Sequence, residues 1–343
     1  MNTTKILLIY TGGTIGMVKD KKTNTLVPVE ISEIFKHVPE LKLFNYQIDT
    51  ISLKPLIDSS NTTPNFWKNM LKTIKQNYFL YDGFVILHGT DTMAYSASAM
   101  SFMIENIDKP IIFTGSQLPI SEIRTDGREN LLTAISISAS KLPNGEATVP
   151  EVCIYFENKL FRANRTSKYS TDQFKAFKSP NYPLLANVGI DIAFNFPYIY
   201  YPSKHEVLFH EELNQNVAII KLFPGIQQNV IDSIMSIEGI KGIVLETYGA
   251  GNAPTNDWFL RSIKKAIEKE ICVLNVTQCL IGSIKMGIYE TSREMLQLGV
   301  IDGKDMTTEA AVTKMMYVLS KGFNYQESRY YLQHSIRGEM TED

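Results

Sequence analysis

Apolar residues in this chain come in short runs rich in Ile, Val and Leu, and between the runs they recur at helical spacing. Residues 6–10 (Ile-Leu-Leu-Ile-Tyr) read as the first strand. Thr63 and Pro64 mark a helix start, Thr63 as the N-cap and Pro64 in the first helical position, and Phe66, Trp67, Met70, Leu71 and Ile74 follow on one face. Residues 84–88 form a buried strand, 92–104 a helix and 111–114 a second strand, together a βαβ unit. A polar stretch from Gly115 to Asn130 leads into a helix beginning near Glu129, and 153–156 is again a strand. The pattern resumes later with strands at 217–223, 242–246 and 271–276. It ends with a helix from about Thr307 to Lys321, which buries Ala311, Val312, Met315, Met316 and Leu319 and takes Gly322 as its C-cap. Strands alternating with helices predict an α/β fold with a largely parallel sheet.

Between Ile190 and Asn216 the periodicity breaks into an extended, proline-punctuated run, Phe196-Pro197-Tyr198-Ile199-Tyr200-Tyr201-Pro202, followed by a charged stretch. A chain of 343 residues exceeds one hydrophobic core. The break therefore divides it into a larger N-terminal catalytic α/β domain (1–190), an interdomain connection (191–216) and a smaller C-terminal α/β domain (217–343). A hydrophobic fraction of 44% and a charged fraction of 20% exclude disorder, a coiled coil and a disulfide scaffold. The net charge of −2 gives no electrostatic reason for a nucleic-acid or anionic-membrane partner. Cys153, Cys272 and Cys279 are odd in number and widely spread, which fits free, mostly buried thiols in a reducing compartment. The first apolar run is too short for a signal-peptide core, and none approaches bilayer-spanning length, so a cytoplasmic protein is expected.

Two glycine-containing segments follow strands, where open parallel sheets keep their sites. In Thr11-Gly12-Gly13-Thr14-Ile15-Gly16 adjacent glycines let backbone approach a ligand, and Thr14 presents a hydroxyl. A plain strand–helix turn or a phosphate loop is the competing reading, though the glycine spacing does not fit the dinucleotide fingerprint. In His88-Gly89-Thr90-Asp91-Thr92, Thr90 and Asp91 project a hydroxyl and a carboxylate suited to a substrate ammonium group. Asp91 reads equally as a helix N-cap, and His88 as a hydrogen-bonded core residue. A hydroxyl nucleophile needs a base. No histidine triad motif and no HExxH zinc motif is present, so neither a metal nor a cofactor is implied. Lys168, in Asn164-Arg165-Thr166-Ser167-Lys168, is the remaining base, because burial lowers a lysine toward neutrality. The alternative is that Arg162, Arg165 and Lys168 form a solvated basic stretch.

These segments, in this order, resemble the bacterial L-asparaginases, and most closely their cytosolic type I enzymes. The resemblance rests on Thr11 to Gly16, His88-Gly-Thr-Asp-Thr-Met93 and Arg162-Ala-Asn-Arg-Thr-Ser-Lys168. It continues through Asp58-Ser59-Ser60, Thr114-Gly115-Ser116-Gln117, Tyr248-Gly-Ala-Gly-Asn-Ala-Pro254 and Thr277-Gln278-Cys279, covering nearly the whole chain. It implies hydrolysis of L-asparagine to L-aspartate and ammonia through a β-aspartyl ester on Thr14, with Thr90, Lys168 and Asp91 as a proton relay. It further implies that Asp91 holds the substrate α-amino group, Asp58, Ser59 and Ser60 its charged ends, and the Ser116 backbone the leaving amide. Asn252 resembles a residue that reaches a neighbouring subunit's site, which implies a homodimer or a homotetramer built as a dimer of dimers.

Departures from the family pattern also carry expectations. Relatives place a Tyr in the mobile loop after the nucleophile, where this sequence has Leu26 and two additional preceding residues. Some type I enzymes hold a second, allosteric asparagine with an Arg where this chain has Glu246; Ser167, Thr277 and Cys279 are compatible with such a site, but Glu246 repels a carboxylate. Rival readings are a glutaminase–asparaginase, an amidotransferase-type amidohydrolase, a non-catalytic amino-acid-binding protein and, weakest, a nucleotide-binding enzyme.

Overall fold

Strand β1 (Lys5–Gly12) is almost continuously apolar because the sheet is covered on both faces, and its residues from Ile6 onward are buried. The computed structural model describes residues 3–19, 25–202 and 205–342, and of Leu26 and Thr291 the backbone only. Two compact units divide between Glu211 and Glu212.

In the first unit β1 pairs in parallel with β2 (Gln47–Ile57) on one side and β3 (Gly83–Leu87) on the other. β4 (Ile111–Thr114) and β5 (Val152–Phe156) continue the parallel sheet outward from β3. β6 (Lys159–Arg162), β7 (Ala186–Val188) and β8 (Ile192–Phe194) close it as antiparallel strands, giving the order β8-β7-β6-β5-β4-β3-β1-β2. Registers align Leu8, Val85, Ile112 and Cys153 in one row across four strands. That row joins Leu131, Ala134 and Ile135 of helix α3 (Gly127–Ala139) in one core cluster. Helix α1 (Pro64–Asn77) begins as its sequence predicts: Thr63 accepts from the Phe66 amide, Pro64 occupies the first turn, and all five periodic residues are buried. Helix α2 spans Met93–Met103.

The core order 2-1-3-4-5 has a consequence for function. The chain leaves β1 to one side for β2, then returns to the other side for β3. Loops at the carboxyl ends of β1 and β3 therefore diverge and open a crevice at this switch point. Both glycine-containing motifs lie there.

The second unit has its own parallel sheet, Val217–Lys221, Gly242–Thr247, Cys272–Thr277 and Ile301–Asp302, paired in chain order. Ile220, Ile231, Leu245, Phe259, Ile263 and Val273 form its core. Among the described residues no helix is long and apolar enough to cross a membrane.

Two sequence expectations change in detail. First, much of segment 191–216 is structure of the first unit rather than connection. β8 closes the sheet edge, Tyr198 accepts from Arg162, and the Tyr201 hydroxyl donates to the Thr148 carbonyl. Pro197 sits in the first turn of a 3-10 helix, Phe196–Tyr198, that follows β8, and not in a free linker. Secondly, the last predicted helix runs Thr308–Val318 and is capped by Leu319; Gly322, with φ of 70°, turns the chain beyond it. Met316 and Leu319 are only half-buried there. Lys314 in that helix is fully buried, donating to the Leu332 and His334 carbonyls and pairing at 2.6 Å with the equally buried Glu339. Cys153 and Cys272 are buried and Cys279 is exposed, all as free thiols.

Candidate active site

The Thr11–Gly16 turn depends on two left-handed glycines, Gly12 at φ 112° and Gly13 at φ 89°. A Cβ on Gly12 would stand 2.2 Å from the Ile57 carbonyl oxygen, and one on Gly13 would stand 2.4 Å from the Gly89 amide nitrogen. Bare glycine is thus what lets the ends of β1, β2 and β3 meet backbone to backbone. Thr11 is buried and donates to the Leu87 carbonyl at 2.8 Å, a further tie between β1 and β3. Thr14 opens a single 3-10 turn, half-buried, and its hydroxyl makes no hydrogen bond with the described residues.

The β3 loop brings the polar groups together. Lys168 Nζ donates to Thr90 Oγ1 at 2.8 Å and to Asp91 Oδ1 at 2.7 Å, across a separation of 78 and 77 residues. The lysine side chain is 14% exposed and the aspartate 64%, so the amine is largely enclosed while its carboxylate partner is turned to solvent. Asp91 is not the N-cap of α2; Thr92 occupies that position. Thr92 instead donates to the Ser59 carbonyl at 2.7 Å, fastening the β2 loop to the β3 loop. In that β2 loop Asp58 Oδ1 accepts from the Ser60 amide and hydroxyl, both at 2.9 Å, while Ser59 is buried.

Lys168 does not belong to a solvated basic stretch. Arg162 and Arg165 are buried. Arg162 pairs with Glu151 at 2.6 Å, and both guanidinium groups lie over the Tyr182 ring. These contacts hold the rigid base from which the short strand Ser167–Lys168 projects.

Ser116 is buried after β4, its hydroxyl donating to the Leu118 carbonyl. Two residues here were missed as contributors in sequence. Gln117 Oε1 accepts from the Thr90 hydroxyl at 3.1 Å, and the Asp126 carboxylate accepts from the Gln117 and Leu118 amides at 3.1 to 3.2 Å. Burial pushes the Asp126 carboxyl up, opposed by those amides. The Asp126-Gly127 pair before the α3 pattern was the available signal.

His88 is buried, with Nδ1 2.7 Å from the Gly89 carbonyl and Nε2 unpartnered among the described residues. Burial pushes its imidazolium down to about 4, against the Gly89 carbonyl, which favours the charged ring. The folded pKa lies below the unfolded one, so the unfolded chain binds more protons between about 6.5 and 4. Stability from this group is complete above that window and is lost as pH falls through it, by roughly 2–3 kcal/mol at pH 4.5. Urea midpoints at pH 7 and 4.5 should differ less for His88→Gln than for the wild type. Equal pH slopes would remove His88 from the account.

Asn252 lies in the second unit, on a turn where its backbone pairs both ways with Tyr248. Glu246, in the same unit, is buried: Oε1 accepts from Thr308 at 2.6 Å and Oε2 pairs with Lys221 at 3.1 Å. Thr277 donates to the Gly249 carbonyl and accepts from the Cys279 amide. Ser167 belongs to the first unit. Residues 20–24, ahead of Leu26, fall outside the described residues, as does the Leu26 side chain.

A hydroxyl-bearing glycine turn beside a Thr–Lys–Asp cluster invites comparison with known proteins. The family model "Asparaginase, N-terminal" matches residues 5–200, and "Glutaminase/Asparaginase C-terminal domain" matches 216–332. The chain belongs to the asparaginase family. It is 41% identical to L-asparaginase 1 of Escherichia coli K12, over the whole of both chains. Two solved relatives share this asparaginase fold. L-asparaginase I of Vibrio cholerae matches at 39% identity and a TM-score of 0.88, and the thermostable L-asparaginase of Thermococcus kodakarensis at 33% and 0.90. Each match covers 99% of this chain and 100% of the relative.

Proposed function

We propose that this asparaginase-family chain hydrolyses the side-chain amide of L-asparagine to L-aspartate and ammonia. The observation that carries the reading is Lys168 Nζ in simultaneous contact with Thr90 Oγ1 and Asp91 Oδ1, at the switch point that also carries Thr14. Thr14 Oγ1 attacks the side-chain carbonyl carbon, and the relay of Thr90, Lys168 and Asp91 accepts its proton. The C–N bond breaks as the nitrogen takes a proton and leaves as ammonia. Water then attacks the β-aspartyl ester, restoring the Thr14 hydroxyl and releasing aspartate.

Asp91, the more exposed partner, also takes the substrate ammonium, and the Asp58-Ser59-Ser60 turn contacts its charged ends. The Ser116 backbone faces the leaving amide. Ammonia release from purified protein, with asparagine and glutamine as separate substrates, tests the reading. Release from glutamine at a comparable kcat/KM would replace it with a glutaminase–asparaginase. Heat stabilisation by asparagine or aspartate without any ammonia would leave a binding protein.

The proposed setting is cytoplasmic, in a homodimer or a dimer of dimers, with Asn252 serving a neighbouring subunit's site. Light scattering at assay concentration counts the subunits, and a fully active monomer would contradict this part. Glu246 leads to a regulatory expectation. Both its oxygens are engaged by Thr308 and Lys221, so it presents a satisfied carboxylate where an effector's α-carboxylate needs a cation. Allosteric coupling is typically about 1–3 kcal/mol, small enough for that mismatch to erase. Initial rates against asparagine should be hyperbolic, with a Hill coefficient near one. A sigmoidal curve abolished by Glu246→Ala would show the opposite.

A further inference from the structure

The hydrogen-bond directions around Thr90 contain more than the relay. A threonine hydroxyl has one proton to give and two lone pairs. In the resting site Lys168 Nζ donates to it at 2.8 Å, as it does to Asp91, so that contact uses a lone pair. The hydroxyl proton must go elsewhere, and Gln117 Oε1 stands 3.1 Å away.

An amide side chain can be turned either way, and here its second contact decides. Gln117 Nε2 lies 3.2 Å from the Gln173 backbone carbonyl, which has no proton to offer. Turning the amide over would set two oxygens against each other at that contact and an N–H₂ against Thr90. The Gln173 carbonyl therefore fixes the Gln117 oxygen toward Thr90.

The backbone beneath Gln117 is fixed in turn. Asp126 accepts from the Gln117 amide with both oxygens and from the Leu118 amide. Asn130 ties the same loop down by donating to the Gly115 carbonyl at 2.9 Å and to Asp126 at 3.2 Å. The Ile120 amide donates to the Ile15 carbonyl, so this loop is also attached to the turn that bears Thr14.

We propose that Gln117 is a positioning residue for the reaction: it holds the resting proton of Thr90, so that Thr90 keeps one lone pair on Lys168 and one open toward the cleft. The inference rests on the functional reading above. An open lone pair can accept a hydrogen bond from an attacking hydroxyl or water and so orient it, whereas a freely rotating hydroxyl spends part of its time presenting its own proton there. Gln117 acts on that orientation and makes no claim on substrate affinity.

The test pairs two substitutions at one position. Gln117→Met keeps the length and removes the acceptor; kcat should fall tenfold to a hundredfold, as small errors of positioning do, with KM for asparagine within about threefold. Gln117→Glu restores an oxygen acceptor for Thr90 but sets its second oxygen against the Gln173 carbonyl, so it should recover part of the lost kcat, and more of it as pH falls and the carboxyl gains a proton to donate there. Thermal midpoints within about two degrees of the wild type certify folding in both. Three results would overturn the proposal: undiminished kcat in Gln117→Met, equal loss in both variants, or a rise in KM with kcat intact. The wild-type rate, measured alongside, separates this from the underlying reading. A wild-type chain releasing no ammonia from asparagine overturns the proposed activity, and the positioning role with it.

Discussion

Thr14→Ala should lower kcat for asparagine by about a thousandfold or more while aspartate continues to raise the melting temperature. Thr14 sits half-buried at the start of its 3-10 turn, and its hydroxyl has no hydrogen-bond partner among the described residues. Removing it therefore strands no buried donor or acceptor, and the stability cost should be small. The backbone of the turn is held by Gly12, Gly13 and the Thr11–Leu87 bond, none of which involves the Thr14 side chain. Loss of turnover in a stable, ligand-binding variant thus reports on chemistry alone. Turnover near the wild-type level would assign the nucleophile elsewhere, with Thr90 the next hydroxyl to test.

Local features of the fold were readable because their causes are local. Thr63-Pro64 specifies a helix start through one hydroxyl and one fixed φ, and the helix begins there. Residues 111–114 form a strand with the bounds their apolar run predicts. Strand β2 was not readable: it carries Asp49 and Lys54, and most of its positions are half-buried, so its pattern lacks both the apolar run of a central strand and clean alternation. The two units divide between Glu211 and Glu212, inside the expected connection, yet the tyrosines that precede the division and look like a linker are hydrogen-bonded into the first unit.

The candidate site divides in the same way. Gly12 and Gly13 announce close backbone approach in sequence, and the approach is there, to the backbone of Ile57 and Gly89. The residues they approach are set by strand order, which periodicity does not contain. Gln117 and Asp126 act through hydrogen bonds to a loop and a neighbouring side chain, and neither spacing nor composition marks such a role. Burial of Arg162 and Arg165 likewise needed Glu151 and Tyr182 to come from elsewhere in the chain.

Lys168 shows the point most sharply, since composition favoured a solvated basic stretch and the fold places its amine on two polar groups from β3. Lys168→Met should reduce kcat to roughly a thousandth or less of wild type, with a much smaller effect on aspartate binding. The substitution leaves Asp91 without its cation, but that carboxylate is 64% exposed and can hydrate, so losing the pair should cost little stability. Lys168→Arg sharpens the test, because it keeps the charge that holds Asp91. Guanidinium stays protonated at working pH, and its planar fork cannot place one nitrogen at the shared position between Thr90 and Asp91. If Lys168 serves as a base, the Arg variant should be as inactive as the Met variant. If its role is only to anchor Asp91, Arg should restore most of the rate. An Arg enzyme at full activity would reduce Lys168 to an ion-pair partner, and the proton acceptor for Thr90 would have to be sought elsewhere in the cleft.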